Sequence, residues 1–421
     1  MTMAQTPPAA RSAGLLFIFI TVLLDVVGIG IVIPVMPRLV GEIVGGDLSQ
    51  AATTFGLIAS TYTLLQFLCA PALGAYSDQV GRKPVLLVSL LLTAVAYALT
   101  AMAPNLAWLI AARALAGTAG GSLTVATTYI ADVSPPEQRA QNFGLVGAAF
   151  GIGFILGPAV GGLLGGMGLR MPFYAAGAVA LLNFLYGAFA VPESHKLENR
   201  VPFRWQKANP IAGFALLRGR AMLGGLALAL IWMRLAQSGL ETTWVLFTTY
   251  RFNWTVGQNG ASLAVVGICA AIVQGGLIRR LMPVLGERRA VTLGLVISIL
   301  AFIGYGAATQ GWMMYAILAL GSFGGIAGPA VQGLISKAVS PQEQGRVQGT
   351  VTSLMSLVGI VAPLIGTHLF ARFHGPGALA EIPGITFFSG ALLFGVALVT
   401  VQRVFARHAD DGVVITALPQ G

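Results

Sequence analysis

Charge is what this chain has least of. Asp, Glu, Lys and Arg make up 9% of its 421 residues, while 56% are hydrophobic. Soluble globular chains carry about 25% charged residues, so the composition excludes a soluble enzyme and predicts a polytopic membrane protein. Cysteine is nearly absent too: Cys69 and Cys269 each stand alone in an apolar stretch. Without CxxC or metal-ligand spacing they read as buried packing residues with no redox or metal role. No G-x-x-x-x-G-K-[ST] run occurs, which argues against an ATP-driven pump. The segment 1–11 is polar, and the apolar run after it is too long for a signal peptide and lacks a small-residue cleavage pattern. It is expected to stay attached.

What is there is a series of apolar stretches separated by polar or Gly/Pro-rich breaks. They predict an all-α membrane protein with twelve spans, at 14–37, 53–74, 84–103, 107–130, 143–165, 172–191, 222–248, 258–279, 289–308, 312–334, 345–369 and 384–403. The longest polar connection, 192–220, separates an N-terminal six-helix half (1–191) from a C-terminal one (221–421). With an even number of spans both termini share one side. Of the 24 Lys and Arg residues, 18 fall on that side or in the central loop; Arg38, Arg170, Arg251 and Arg372 fall on the other, and Arg113 and Arg234 lie inside spans. The bias predicts cytoplasmic termini and a cytoplasmic central loop. The net charge of +10 is therefore topological and implies no nucleic-acid partner.

The halves echo each other. Val133-Ser134-Pro135-Pro136-Glu137-Gln138 recurs as Val339-Ser340-Pro341-Gln342-Glu343-Gln344, and Pro158 as Pro363. Gly81-Arg82-Lys83 is echoed by Gly286-Glu287-Arg288-Arg289. All three recur at one offset of about 205 residues, the mark of an internal duplication. Two six-helix halves around a cavity imply alternating access by rocking.

Asp25 is the charge that stands out, in Leu24-Asp25-Val26-Val27-Gly28-Ile29-Gly30. A carboxylate in a bilayer-long apolar run is costly and marks an ion or substrate path; the alternative is a helix-end carboxylate wetted by the interface. Arg113, with Gly117 and Gly121 on its face, needs an acid or carbonyl partner inside the membrane. Asp25 is the expected candidate, the pair taking up and releasing a proton as the cation moves. Span seven holds Arg234 and Glu241, with Gln237 and Ser238 between them. Seven residues place these charges on one face but about 10 Å apart along the axis, too far to pair easily, so the face is read as cavity lining, with a carboxylate wetted near the periplasmic end as the alternative for Glu241. Gln66, Gln274, Gln332 and Asn183 are candidate substrate contacts or interhelical hydrogen-bonders, and Tyr62, Trp232 and Trp244 can stack on a planar ligand or belong to an interfacial belt.

Two motifs carry more. In the loop Gly74-Ala75-Tyr76-Ser77-Asp78-Gln79-Val80-Gly81-Arg82-Lys83 glycine permits a tight turn, and Asp78 and Arg82 can form a charge network that breaks on switching. In span five, Gly153, Gly157, Gly161 and Gly165 lie four apart beside Pro158 and Gly162, a bare face for close helix packing. The loop resembles the G-x-x-x-D-x-x-G-R-[RK] signature of the major facilitator superfamily, and span five resembles the antiporter signature G-x-x-x-G-P-x-x-G-G. With Trp244-Val245-Leu246-Phe247-Thr248 and Gly328-Pro329-Ala330-Val331-Gln332-Gly333, the chain from about residue 15 to 370 resembles the tetracycline/proton antiporter family.

The resemblance implies an inner-membrane proton-coupled efflux antiporter for tetracycline-like or other amphipathic drugs, not an enzyme. It implies an Arg82–Asp132 pair, because the family's loop arginine meets an acid at the end of span four. It implies no cofactor beyond the proton gradient, a divalent metal travelling only as part of a chelated substrate, and no obligatory protein partner besides the bilayer. Gln79 replaces a basic residue of the drug exporters. The further membrane acids and the histidine of tetracycline exporters are replaced by Ala96, Ser298 and Ala270, leaving the proton site at Asp25. The rival readings are a metabolite symporter of the same fold and a non-transporting receptor or assembly factor.

Overall fold

A backbone in lipid must satisfy every N–H and C=O internally, and helices do so within one segment. The computed structural model describes residues 8–45, 48–135, 138–190, 192–195, 197–202, 220–375 and 378–407, and among these the regular elements are helical throughout. They are α1 (Pro8–Val32), α2 (Met36–Val44), α3 (Leu48–Val80), α4 (Arg82–Ala101), α5 (Leu106–Ala119), α6 (Ser122–Val133), α7 (Arg139–Met167), α8 (Met171–Ala190), α9 (Ala221–Phe252), α10 (Val256–Ile272), α11 (Ile278–Ala307), α12 (Gly311–Gly321), α13 (Ala327–Lys337), α14 (Pro341–Arg372) and α15 (Ile385–Arg407). Twelve stretches are long and apolar enough to cross a membrane. Within the connection 192–220, residues 203–219 lie outside the described residues.

The expected spans differ from the helices where glycine and proline act. The first was expected to run to Pro37, but α1 stops at Val32 and α2 begins afresh at Met36 with proline in its first turn. Proline disfavours helical backbone in the residue before it, and Pro34 does so here. The fourth span is two helices, α5 and α6, parted at Gly120 and Gly121. The tenth breaks likewise into α12, a 3-10 turn at Ser322–Ile326 and α13. The eighth ends in a π-helical turn, Val273–Leu277, which periodicity does not reveal. Cys69 and Cys269 are half-exposed rather than buried; each sits on a helix flank, so neither fills a core.

Glycines let backbones touch. Gly153, Gly157 and Gly161 on α7 face α1, and a Cβ on Gly157 would stand 2.6 Å from the Gly30 Cα. One side chain too many on this face would push the helices apart. Gly162 faces the other way, onto α10, where a Cβ on Gly260 would come within 2.7 Å of its Cα. Thus α7 joins α1 to α10, and α3 packs on α14.

These contacts bring α1–α8 against α9–α15 at one end. Arg38 donates to the Trp254 carbonyl, Ser49 Oγ donates to the Ala371 carbonyl at 3.1 Å, and Gly56 abuts Thr367. Gly144, Gly147 and Gly151 on α7, Gly275 and Gly276 after α10, and Gly349 on α14 face open space. Gly166, near the opposite end of α7, faces open space as well.

Candidate functional site

Asp25 sits in the membrane stretch of α1, and its Oδ2 accepts a hydrogen bond from Ser122 Oγ at 2.7 Å. Ser122 is the first residue of α6, so the Gly120–Gly121 break delivers the hydroxyl. Gln66 Nε2 donates to the Gly120 carbonyl at 3.2 Å, satisfying an acceptor at that break. One candidate substrate contact thus spends its donor on supporting the backbone beneath Ser122.

The expected Asp25–Arg113 pair is not formed. Arg113 is 7% exposed; its Nη2 donates to Thr100 Oγ1 at 3.0 Å and its guanidinium lies 5.3 Å from the centre of the Tyr97 ring. Its Nε has no partner. The guanidinium turns instead to α4, where Thr100 and the Tyr97 ring hold it. Tyr62 and Tyr97 lie within electrostatic reach of both charges, so acid, cation and two phenols form one polar group in the N-terminal set. Asn183, named as a possible substrate contact, is fully buried and donates to the Thr21 carbonyl at 2.9 Å, an interhelical bond.

On α9 the outcome differs from expectation. Arg234 Nη1 lies 3.1 and 3.2 Å from the two oxygens of Glu241. The seven-residue spacing does not prevent pairing, because two long side chains on one face reach toward each other and cover two turns. Both are partly exposed, and Gln237 between them is exposed. Gln274 is exposed on the π turn and Gln332 half-buried on α13; no hydrogen bond joins these glutamines to the Arg234–Glu241 pair. Trp232 is half-buried, whereas Trp244 is enclosed, donating from Nε1 to Ser262 Oγ at 3.0 Å, so its ring is core rather than a stacking surface.

At the Arg82 end lies a third cluster. Arg82 is buried, and its Nη1 meets Asp78 Oδ1 at 2.6 Å and Ser77 Oγ at 2.5 Å. Its Nε donates to Asp132 Oδ2 at 3.0 Å. Gly81 precedes α4 at φ 108°, a left-handed conformation that glycine adopts without strain. Gly74 packs more loosely, with Thr124 3.6 Å from a Cβ there. Sequence reasoning missed Glu193, whose carboxylate accepts the backbone N–H groups of Arg82 at 2.9 Å and Lys83 at 3.2 Å. It caps the start of α4, where unpaired N–H groups attract an anion. Its sole sequence signal is an acid after the Pro192 that ends the sixth span.

The chain matches the Major Facilitator Superfamily profile over residues 18–363 and 280–413. It is 40% identical over 389 residues to the class C tetracycline resistance protein of Escherichia coli, covering 92% of this chain and 96% of that one. To the class G protein of Vibrio anguillarum it is 37% identical over 399 residues, with 94% and 98% covered. Among solved structures it resembles the human organic anion transporter MFSD10 (TETRAN), with a TM-score of 0.69, 28% identity, and coverage of 94% and 100%. Such proteins move small molecules, are not enzymes and generally need no cofactor. With its twelve spans and paired-helix breaks, this chain belongs to the Major Facilitator Superfamily.

Proposed function

We propose that this protein exports tetracycline-like or other amphipathic drugs across the inner membrane in exchange for protons. The observation that carries the reading is the Asp25 carboxylate, held in a membrane span by the single hydroxyl of Ser122. An acid so placed is costly unless it works. Asp25 alternates between proton and cationic drug: deprotonated toward the cytoplasm it takes the drug, and protonated from the periplasm it releases it. The lysine and arginine bias supports cytoplasmic termini, which makes the Arg82 end the cytoplasmic entrance. Arg82, Asp78 and Asp132 act as the latch that rearranges when this entrance closes, and the glycine face of α7, with Gly153, Gly157, Pro158, Gly161 and Gly162, is the surface on which α1 and α10 move.

Two relatives are named for tetracycline resistance and the human structure for organic anion transport; both names fit drugs that bear acidic oxygens. No resident metal is needed, and a divalent ion travels only as part of chelated tetracycline. The test is proteoliposomes with an imposed pH gradient, assayed for tetracycline, norfloxacin and ethidium movement. Wild type is expected to exchange drug for protons and Asp25→Asn to lose it. Exchange by Asp25→Asn would sink the assignment, and drug-independent proton cotransport of a metabolite would favour a symporter.

A further inference from the structure

Helix α9 has two exposed faces of opposite character. Leu228 is 41% exposed, whereas Arg234, Gln237 and Glu241 form a polar stripe. At about 3.6 residues per turn, Leu228 stands about 180° around the helix from Gln237. The apolar face suits lipid. The stripe does not, because charges in a span face a bundle interior or a water-filled cavity. Its side chains are nonetheless open, at 37% for Arg234 and 47% for Glu241, so a ligand can reach them rather than find them sealed in protein.

The pairing is incomplete in an informative way. Both hydrogen bonds to Glu241 use Arg234 Nη1; Nε and Nη2 carry none among the described residues. A guanidinium offers five N–H donors in a planar fork matched to carboxylate-like oxygens. Glu241 therefore covers one corner of a site that can accept a second anion, and an i,i+7 ion pair exposed to water is weakly held.

We infer that Arg234 is the anion-receiving group of the drug cavity, binding a deprotonated oxygen of a zwitterionic or anionic amphiphile, with Glu241 as the internal anion that the substrate displaces or joins. Gln237, on the same face, supplies a neutral hydrogen-bonding amide beside it. The inference rests on the efflux reading and deepens it: Asp25 on α1 receives the proton or the cationic end of the drug, and Arg234 on α9 the acidic end.

Equilibrium binding to the purified full chain in detergent tests it, with tetracycline and norfloxacin as acid-bearing probes and ethidium as a permanent cation without an acidic oxygen. Arg234→Gln is expected to weaken both acid-bearing drugs by about tenfold or more and to leave ethidium unchanged within about twofold. Glu241→Gln, which frees the guanidinium, is expected to tighten the two acid-bearing drugs. Equal losses for all three probes in Arg234→Gln, or no loss for any, overturn the inference, as does a wild type that binds ethidium alone. Should Arg234→Gln fail to elute as a single species, Glu241→Gln decides: unchanged or weaker binding of the acid-bearing drugs overturns it. Failure of proton coupling in proteoliposomes alongside this selectivity would reject the antiport reading and leave the anion site standing.

Discussion

Helices α1 and α9 begin the two sets of spans, and each carries charge into the membrane, but they hold it differently. Asp25 is met by one hydroxyl beside a buried cation and two phenols. Arg234 and Glu241 meet each other at exposed positions on α9. Their packing differs as well. Helix α1 lies against α7 backbone to backbone through Gly30 and Gly157, whereas α9 is anchored by Trp244, stacked edge-on against Tyr305 at 5.4 Å and Phe387 at 6.5 Å. A close glycine seam suits a helix that must slide, and an interlocked aromatic core suits one that moves as a body with its neighbours. On the proposed reading, proton coupling and substrate choice sit on different helices with different mechanical settings.

The comparison can be broken at several levels. Asp25→Asn has the largest expected effect, reducing drug-driven proton flux in proteoliposomes to the protein-free background. On α9, Trp244→Ala removes a ring that is 1% exposed and is expected to cost about 3–5 kcal/mol, read as a large fall in melting temperature. Gly161→Val drives a side chain into the Ile31 backbone and is expected to cost about 1–3 kcal/mol by overpacking. Gly166→Ala, which faces open space, is the matched control and should melt like wild type. Glu193→Ala leaves the start of α4 without its cap at a cost of about 1 kcal/mol, measurable as a lower melting temperature and faster proteolysis near Arg82.

The smallest effect is at the surface. Arg220 and Glu343 pair at 2.8 Å, and this guanidinium holds the Glu343 carboxyl below its ordinary range. A carboxyl lowered by folding adds stability above its unfolded value, near about 4.3, and loses it as pH falls through the lower folded value. The melting difference between wild type and Glu343→Gln should be small at neutral pH and shrink as the buffer is taken below that range. A difference that grows on acidification would show that the pair is not what Glu343 contributes.

Much of the fold was legible because a bilayer imposes one strong rule: twenty or so apolar residues per span. Twelve spans, the break after the sixth and the glycine-rich fifth span follow from it. The boundaries were less legible. Pro34 ended α1 early, and Gly120–Gly121 divided a span that hydropathy reads as continuous. At the site, Asp25, Arg82 and Asp132 stand out as charges in apolar or turn contexts. Ser122, Tyr97 and Glu193 do not, since a serine, a tyrosine and a linker acid are ordinary until the chain folds around them.

By itself, then, the sequence determined which segments cross the membrane and which charges lie within them, because these depend on local hydrophobicity and spacing. Only the tertiary structure decided the partners. Arg113 turned to Thr100 and Tyr97 on α4 rather than to Asp25; two extended side chains joined Arg234 to Glu241 across two turns; and a linker carboxylate found the N-terminus of α4. Partner choice is a matter of packing geometry among helices distant in sequence, and no local pattern records it.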